Sequence, residues 1–212
     1  MEIDLVAHCG DTVEGQFVNT LTCVDISIGW TECLAVLTRN KQTVFEAIEI
    51  MRTLLPFDLL GIDSDNGSEF INDLLFQYCQ YQKINFIRSR PYYKNDQADV
   101  EQKNWSVVRR LIGYDRFETE AQYNLMQSIY QDLRLYFNFF QPVLKLVSKE
   151  HVDNKVIKHY DIAATPYQRV FASNDIQFEV KARLINLYVQ LNPVRLRNSI
   201  DQKVDQLWEI SR

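Results

Sequence analysis

The stretch Leu59-Leu60-Gly61-Ile62-Asp63-Ser64-Asp65-Asn66-Gly67-Ser68-Glu69-Phe70 changes character twice within a few residues. From Asp58 to Ile62 it is a short, bounded apolar run, the pattern of a buried strand. Asp65-Asn66-Gly67 then reads as a turn, because Asn and Gly tolerate positive φ. Asn66-x-x-Glu69 has the form of a capping box and predicts a helix that carries Phe70, Leu74 and Tyr78. A strand that passes through a turn into a helix is the building unit of an α/β domain.

The chain on either side agrees. Upstream, Ile3, Leu5 and Ala7 alternate with Glu2, Asp4, Val6 and His8, the period of a half-buried strand. Gln16 to Ile26 and Thr31 to Leu37 read as two more strands around the turn Ser27-Ile28-Gly29-Trp30. Val44, Ala47, Ile48, Met51, Leu54 and Leu55 recur at helical spacing until Pro56. Downstream, Ile84 to Ile87 is another strand, and the loop 90–96 leads into a helix from about Ala98 to Ile112. Thr119-x-x-Gln122 caps the next helix, lined by Leu125, Ile129, Leu133, Phe137 and Phe140 and ended by Pro142. This order predicts an α/β domain over residues 1–142, with a mixed five-stranded sheet flanked by helices. Residues 143–212 read as a mainly helical extension. Lys145 to Tyr160 is taken as a basic loop, Phe178, Ala182, Ile185 and Val189 as one helix face, and Val204, Leu207 and Trp208 as another.

Composition sets limits on function. The 212 residues are 46% hydrophobic and 24% charged, which suits a packed core and excludes general disorder. No apolar run is long enough to span a bilayer, and Met1-Glu2-Ile3-Asp4 lacks the features of a signal peptide. Cys9, Cys23, Cys33 and Cys79 form no C-x-x-C pair, so they read as buried thiols in a reducing cytoplasm. The net charge of −5 is uneven. Residues 1–80 hold 13 acids and 3 bases, whereas residues 88–116 hold 7 bases and 4 acids. Such a division suits carboxylates that gather cations beside a surface that meets polyanions.

Three acids occupy informative places. Asp4 is mid-strand, Asp65 lies where a strand gives way to a turn, and Glu101 lies in the first turn of the helix after the basic loop. The stripe 101, 105, 108, 112 reads Glu, Trp, Val, Ile, so Glu101 is expected to head an inward-facing face, with Lys103 and Arg110 on another. Two carboxylates ~4–5 Å apart repel by roughly 3–4 kcal/mol at an effective dielectric near 20. A fold that gathers three of them needs cations, and oxygen ligands suit Mg²⁺ or Mn²⁺. Asp63 is a rival for Asp65, since residues two apart on a strand share a face.

Asp4 within Glu2-Ile3-Asp4-Leu5-Val6, the run Ser64-Asp65-Asn66-Gly67-Ser68-Glu69-Phe70, and Val100-Glu101-Gln102-Lys103-Asn104 resemble the acidic triad of DDE transposases and retroviral integrases. Thirty-five residues separate Asp65 from Glu101, the spacing for which that group is known. The resemblance covers roughly residues 1–140. Tyr160-Asp161 and Thr165-Pro166-Tyr167-Gln168-Arg169 are similar, less specifically, to segments of bacterial insertion-sequence transposases. It implies an RNase H-like core, two Mg²⁺ or Mn²⁺ ions when DNA is bound, and DNA cleavage and strand transfer without a covalent enzyme intermediate. Asp4 would bridge both ions, and Asp65 and Glu101 would each hold one. Asn66 and Gly67 would support the second ligand, or serve only as turn residues. The alternatives are a nuclease of the same fold that only hydrolyses, and an inert descendant that binds DNA or partners.

The pattern also departs from that group. Retroviral integrases carry DNA-contacting lysines four and seven residues after the catalytic Glu, where this chain has Trp105 and Val108, which read as core. Arg88, Arg90, Lys94, Lys103, Arg109 and Arg110 are therefore the expected DNA contacts, with Tyr92 and Tyr93 able to stack on an extruded base. His8 shares the face of Asp4 and is expected to be structural rather than a ligand. The resemblance implies transposon ends and target DNA as partners, a homo-oligomer, a bacterial cytoplasmic setting, and an upstream helix-turn-helix module that this stretch lacks.

Overall fold

Asn19-Thr20-Leu21-Thr22-Cys23-Val24 is rich in β-branched and apolar side chains, which fit a pleated surface covered on both sides. It forms β2 (Asn19–Val24), with β1 (Glu2–Ala7) and β3 (Thr31–Val36) antiparallel on its two sides. β4 (Gly61–Ser64) and β5 (Asn85–Arg88) continue in parallel from β1, so the sheet runs β3-β2-β1-β4-β5. This computed structural model describes residues 1–67, 69–70, 73–90, 97–152 and 155–211.

Helices cover both faces of the sheet. α1 (Lys41–Leu54) and α2 (Asp73–Gln82) bury Val44, Ile48, Met51, Leu75 and Cys79 against Ile3, Leu21, Leu34 and Ile62. On the other face lie α3 (Ala98–Lys103), a π-helical segment (Asn104–Arg109), α4 (Arg110–Ile112) and α5 (Glu120–Phe140). They bury Val107, Val108, Ile112, Met126, Ile129 and Leu133 against Val6, Cys33 and Ala35. The expected capping box opens α5, with Thr119 accepting from the Gln122 N–H. The protein is thus α/β, with a five-stranded mixed sheet between helical layers and a helical C-terminal region.

Both faces being covered explains the burial of Glu2 and His8, which the alternation alone assigned to a polar face. As described, α2 covers Asp73–Gln82 and buries Leu75 and Cys79 instead of Leu74, which is 40% exposed. Phe70 is buried in the turn that precedes it, where its N–H reaches the Gly67 carbonyl at 3.1 Å.

Residues 143–212 share both cores. Val170 of α6 (Pro166–Ala172) and Leu184 of α7 (Phe178–Tyr188) join the first, and Ile200, Val204 and Leu207 of α8 (Pro193–Glu209) join the second. The expected α7 face is not the buried one, since Phe178 and Ile185 are exposed. Lys145 to Tyr160 is not a loop. It forms an antiparallel hairpin, β6 (Leu146–Val152) with β7 (Lys155–Tyr160), in which every described residue is exposed. Val152, Val156 and Ile157 were its strand signal, masked by the lack of any covered face. Among the described residues no helix is long and apolar enough to cross a membrane.

Candidate functional site

The parallel pairing of β1 with β4 sets Glu2 beside Asp63 and Ile3 beside Ser64. The next residues in the two chains are Asp4 and Asp65, the latter just past the C-terminal end of β4. Burial pushes the Asp4 carboxyl up to about 6, and the charges of Asp65 and Glu101 push the same way. The backbone N–H of Leu5 and the side chain of Asn104 oppose them. The fold therefore brings three acids from β1, the β4 turn and α3 into one electrostatic neighbourhood. Asp63 belongs to the adjoining tier, beside Glu2, with its Oδ1 accepting from Ser89 Oγ at 3.1 Å.

The Asp4 carboxylate is held at both oxygens. Oδ1 accepts from the Leu5 N–H at 2.8 Å and Oδ2 from Asn104 Nδ2 at 2.6 Å. Asp65 Oδ1 accepts from the Gly67 N–H at 2.8 Å, which folds the turn back onto the Asp65 carboxylate. Gly67 does not have the positive φ that its sequence suggested, for positive-φ glycines are Gly10, Gly15, Gly29 and Gly113. It is needed for space: a Cβ there would lie 2.9 Å from Asp65 Oδ1 and 2.9 Å from Glu69 Oε2. Asn66 turns away from the carboxylates and donates to the Ser89 carbonyl at 2.9 Å, tying the β4 turn to the end of β5.

Glu101 departs from its expected orientation. It is exposed, as is Trp105 at 59%, while Val100, Lys103, Val107, Val108 and Ile112 face inward. The π-helical turn over Asn104–Arg109 is the reason. An extra residue in the turn rotates the following side chains relative to an ideal 3.6-residue helix, so positions 101 and 105 stay on the open face while 107 and 108 both point in. Such wide turns are frequent at functional sites, and this one begins three residues after Glu101.

Three contributors escaped the sequence reading. Asn104 is one, and its Oδ1 is buried with no hydrogen-bond partner. Gln97 is the second, buried with Nε2 3.2 Å from the Asp63 carbonyl and 3.4 Å from that of Ile3. Glu2 is the third. Its Oε2 accepts from the Val100 N–H at 2.8 Å, near the start of α3, and burial pushes it up to about 7, with Asp99 and Asp63 adding. No local pattern marks these residues, because each acts across some hundred positions of chain.

The expected DNA contacts divide. Arg88, Arg90 and Arg110 are exposed; Lys94, like Tyr92 and Tyr93, lies outside the described residues. Two expectations are corrected. Lys103 is 6% exposed, with Nζ 4.4 Å from the Phe137 ring centroid, and burial lowers its pKa to about 8. Arg109 is a backbone staple that donates to the carbonyls of Ala7 at 2.8 Å and Gly113 at 3.3 Å, its guanidinium 4.6 Å from the Tyr114 ring centroid. His8 is fully buried, 2.7 Å from Thr20 Oγ1, and burial takes its pKa down to about 3, in keeping with a structural role. Cys23, Cys33 and Cys79 are buried free thiols, whereas Cys9 is half-exposed.

The donor set can be tested against a divalent cation. Among the described residues Asp4, Asp65 and Glu101 have no ion-pair partner, and Asn104 offers an unused buried oxygen. An all-oxygen, acid-rich set of this kind fits Mg²⁺ or Mn²⁺. Among the same residues no three His, Cys, Asp or Glu side chains are drawn together closely enough to hold a metal ion at once.

No family model matches the chain. The chain is similar to a protein of Sinorhizobium fredii (strain NBRC 101917 / NGR234), described as the uncharacterized protein y4rM, with 43% identity over 169 residues. That alignment covers 80% of this chain and 48% of the relative, so the chain spans about half the length of the curated protein it matches.

Proposed function

We propose that this chain is a metal-dependent polynucleotidyl transferase core, with the RNase H-like architecture of DDE transposases and retroviral integrases, that cleaves and joins DNA strands by in-line phosphoryl transfer. One observation carries the reading. A half-buried Asp4 on the central strand is held up to about 6 by desolvation and, in smaller part, by the charges of Asp65 and Glu101, with no basic side chain among the groups that set it. A protein gains nothing in stability from such a trio, so its value lies in what it binds. The strand order and the Asp65-to-Glu101 spacing support the same reading.

Asp4, Asp65 and Glu101 would hold the metal, which when bound would neutralise phosphate charge and favour ionisation of the attacking hydroxyl. The chain's own groups prepare the ground. Leu5 and Asn104 fix the Asp4 carboxylate, and the Gly67 N–H fixes Asp65, so two ligands are preorganised before substrate arrives. The exposed Glu101 is free to close inward, on a helix whose first turn Glu2 anchors.

The test combines metal binding with chemistry. Mn²⁺ should raise the melting temperature of the wild type in proportion to RT ln(1 + [L]/Kd). Asp4→Asn should abolish the shift and Asp65→Asn reduce it. With a pre-cleaved 3′-hydroxyl oligonucleotide and plasmid DNA, joined products support strand transfer, and hydrolysis alone moves the assignment to a nuclease. Absence of any Mn²⁺ shift in the wild type would overturn the proposal.

A further inference from the structure

The hairpin β6–β7 stands apart from both cores. Every described residue in it is exposed, and a two-stranded ribbon left to itself is only marginally stable in water. Its root is firm. The Lys145 N–H donates to Asp161 Oδ1 at 2.7 Å, Arg169 Nη1 donates to Asp161 Oδ2 at 2.5 Å, and Lys145 Nζ donates to the carbonyls of Ile26 and Ser27. The ribbon is therefore an arm held out from the body. Lys149 lies directly across from Lys158 and His151 across from Val156 on one face, which Tyr160, two residues beyond Lys158, shares. Glu150 is across from Ile157 on the other face, where its Oε2 lies 3.2 Å from His159 Nε2. Like charges directly opposite one another destabilise a ribbon, and neither lysine has an ion-pair partner among the described residues. The face thus joins two ammonium groups, on Cβ atoms ~5 Å apart, to Val156 and Tyr160, which are 49% and 51% exposed.

The complement lies on the same chain. Glu46 and Glu49 are exposed on the outer face of α1, three residues apart, a spacing of ~5–6 Å between Cβ atoms. Glu46 accepts from Gln42 Nε2 at 2.8 Å, and neither glutamate has an ion-pair partner among the described residues. Ile50, 52% exposed, follows Glu46 by one turn. We propose that the β6–β7 arm of one copy docks on the outer face of α1 of a second copy, with Lys149 and Lys158 against Glu46 and Glu49, and Val156 and Tyr160 against Ile50. A helix laid across the ribbon supplies the layer that it lacks. Each copy has one arm and one such helix, so a reciprocal exchange about a two-fold axis closes the assembly as a dimer. Nucleic acid fits the ribbon less well. Nearly half of its strand residues are apolar, whereas surfaces that bind nucleic acid are polar and strongly positive. The docking requires nothing of the carboxylate site.

Sedimentation equilibrium of the full chain, at low and at high salt, reads the association. Wild type should form a dimer that weakens as salt rises. Lys149→Glu with Lys158→Glu should weaken dimerisation about a hundredfold, and so should Glu46→Lys with Glu49→Lys. An equimolar mixture of the two double variants should recover a dimer of one copy of each, because every arm then meets a helix of opposite charge. All four side chains are exposed, so both double variants should melt as wild type does. A wild type that stays monomeric, a dimer that survives either double variant, or a mixture that fails to recover would overturn the proposal. So would loss of duplex DNA binding in Lys149→Glu with Lys158→Glu at unchanged association, which would assign the arm to nucleic acid.

Discussion

Asn104 Nδ2 donates to Asp4 Oδ2 at 2.6 Å across 100 positions of sequence, and leaves its own Oδ1 buried without a partner. The bond favours the ionised carboxylate, against the burial that raises it. Asn104→Ala should therefore push Asp4 further up and weaken Mn²⁺ binding about tenfold at neutral pH. Calorimetric titration at pH 6 and pH 8 checks this. The deficit should shrink at the higher pH, where Asp4 ionises without help.

Glu2 and Asp4 predict how stability varies with pH. Both have folded pKa values raised above their unfolded ones, to about 7 and about 6. The native state then binds more protons than the unfolded chain, so the stability these groups contribute is lost as pH rises through those values. His8, lowered to about 3, works in the opposite direction between about pH 3 and 6.5. Lys103, lowered to about 8, matters only above that pH. Between pH 6.5 and 8 the carboxylates act alone, and the metal-free melting temperature should fall. Glu2→Gln should flatten that slope, as should saturating Mn²⁺ through Asp4.

Gly67 separates site geometry from stability. A Cβ there would press on Asp65 Oδ1 and Glu69 Oε2, both ends of side chains that are able to move. Gly67→Ala should leave urea unfolding nearly unchanged while Mn²⁺ affinity and strand transfer fall severalfold. A matching loss of stability would show that the turn itself, not the ligand, needs the glycine.

Glu32 and Arg134 form the ion pair beneath the β2–β3 side of the sheet. Arg134 Nε and Nη2 reach the two Glu32 oxygens at 2.7 and 2.8 Å, and Trp30 Nε1 donates to the same carboxylate at 2.7 Å. The Glu32 side chain is 0% exposed, and burial raises its pKa against these partners. Arg134→Met should strand that charge and cost about 3–5 kcal/mol in urea unfolding. The double variant Glu32→Gln with Arg134→Met should recover much of the loss.

Much of the fold was legible along the chain. The period-2 alternation of Ile3, Leu5 and Ala7, the helical spacing of Val44 to Leu55, and the Thr119 cap each act over one or two turns of backbone, and local signals of that kind survive in a linear reading. Lys103 and Trp105 show where it stops. The inward stripe read along the sequence puts Trp105 in and Lys103 out, whereas the π-helical turn over Asn104–Arg109 goes with Val107 and Val108 facing in and Trp105 facing out. The hairpin from Leu146 to Tyr160 was missed for a related reason, since neither of its faces is covered and its pattern lacks the contrast that burial creates.

From residue order alone came the α/β class, the strand and helix succession, and the separation of Asp65 from Glu101, because backbone preference and side-chain periodicity are short-range. Only the folded chain decided that a half-buried Asp4 feels the charges of both, that Glu2, Gln97 and Asn104 support the neighbourhood, and that Arg109 serves the backbone rather than the surface. Those outcomes depend on desolvation and on charges brought near one another from distant positions, and neither exists until the sheet and its helices close.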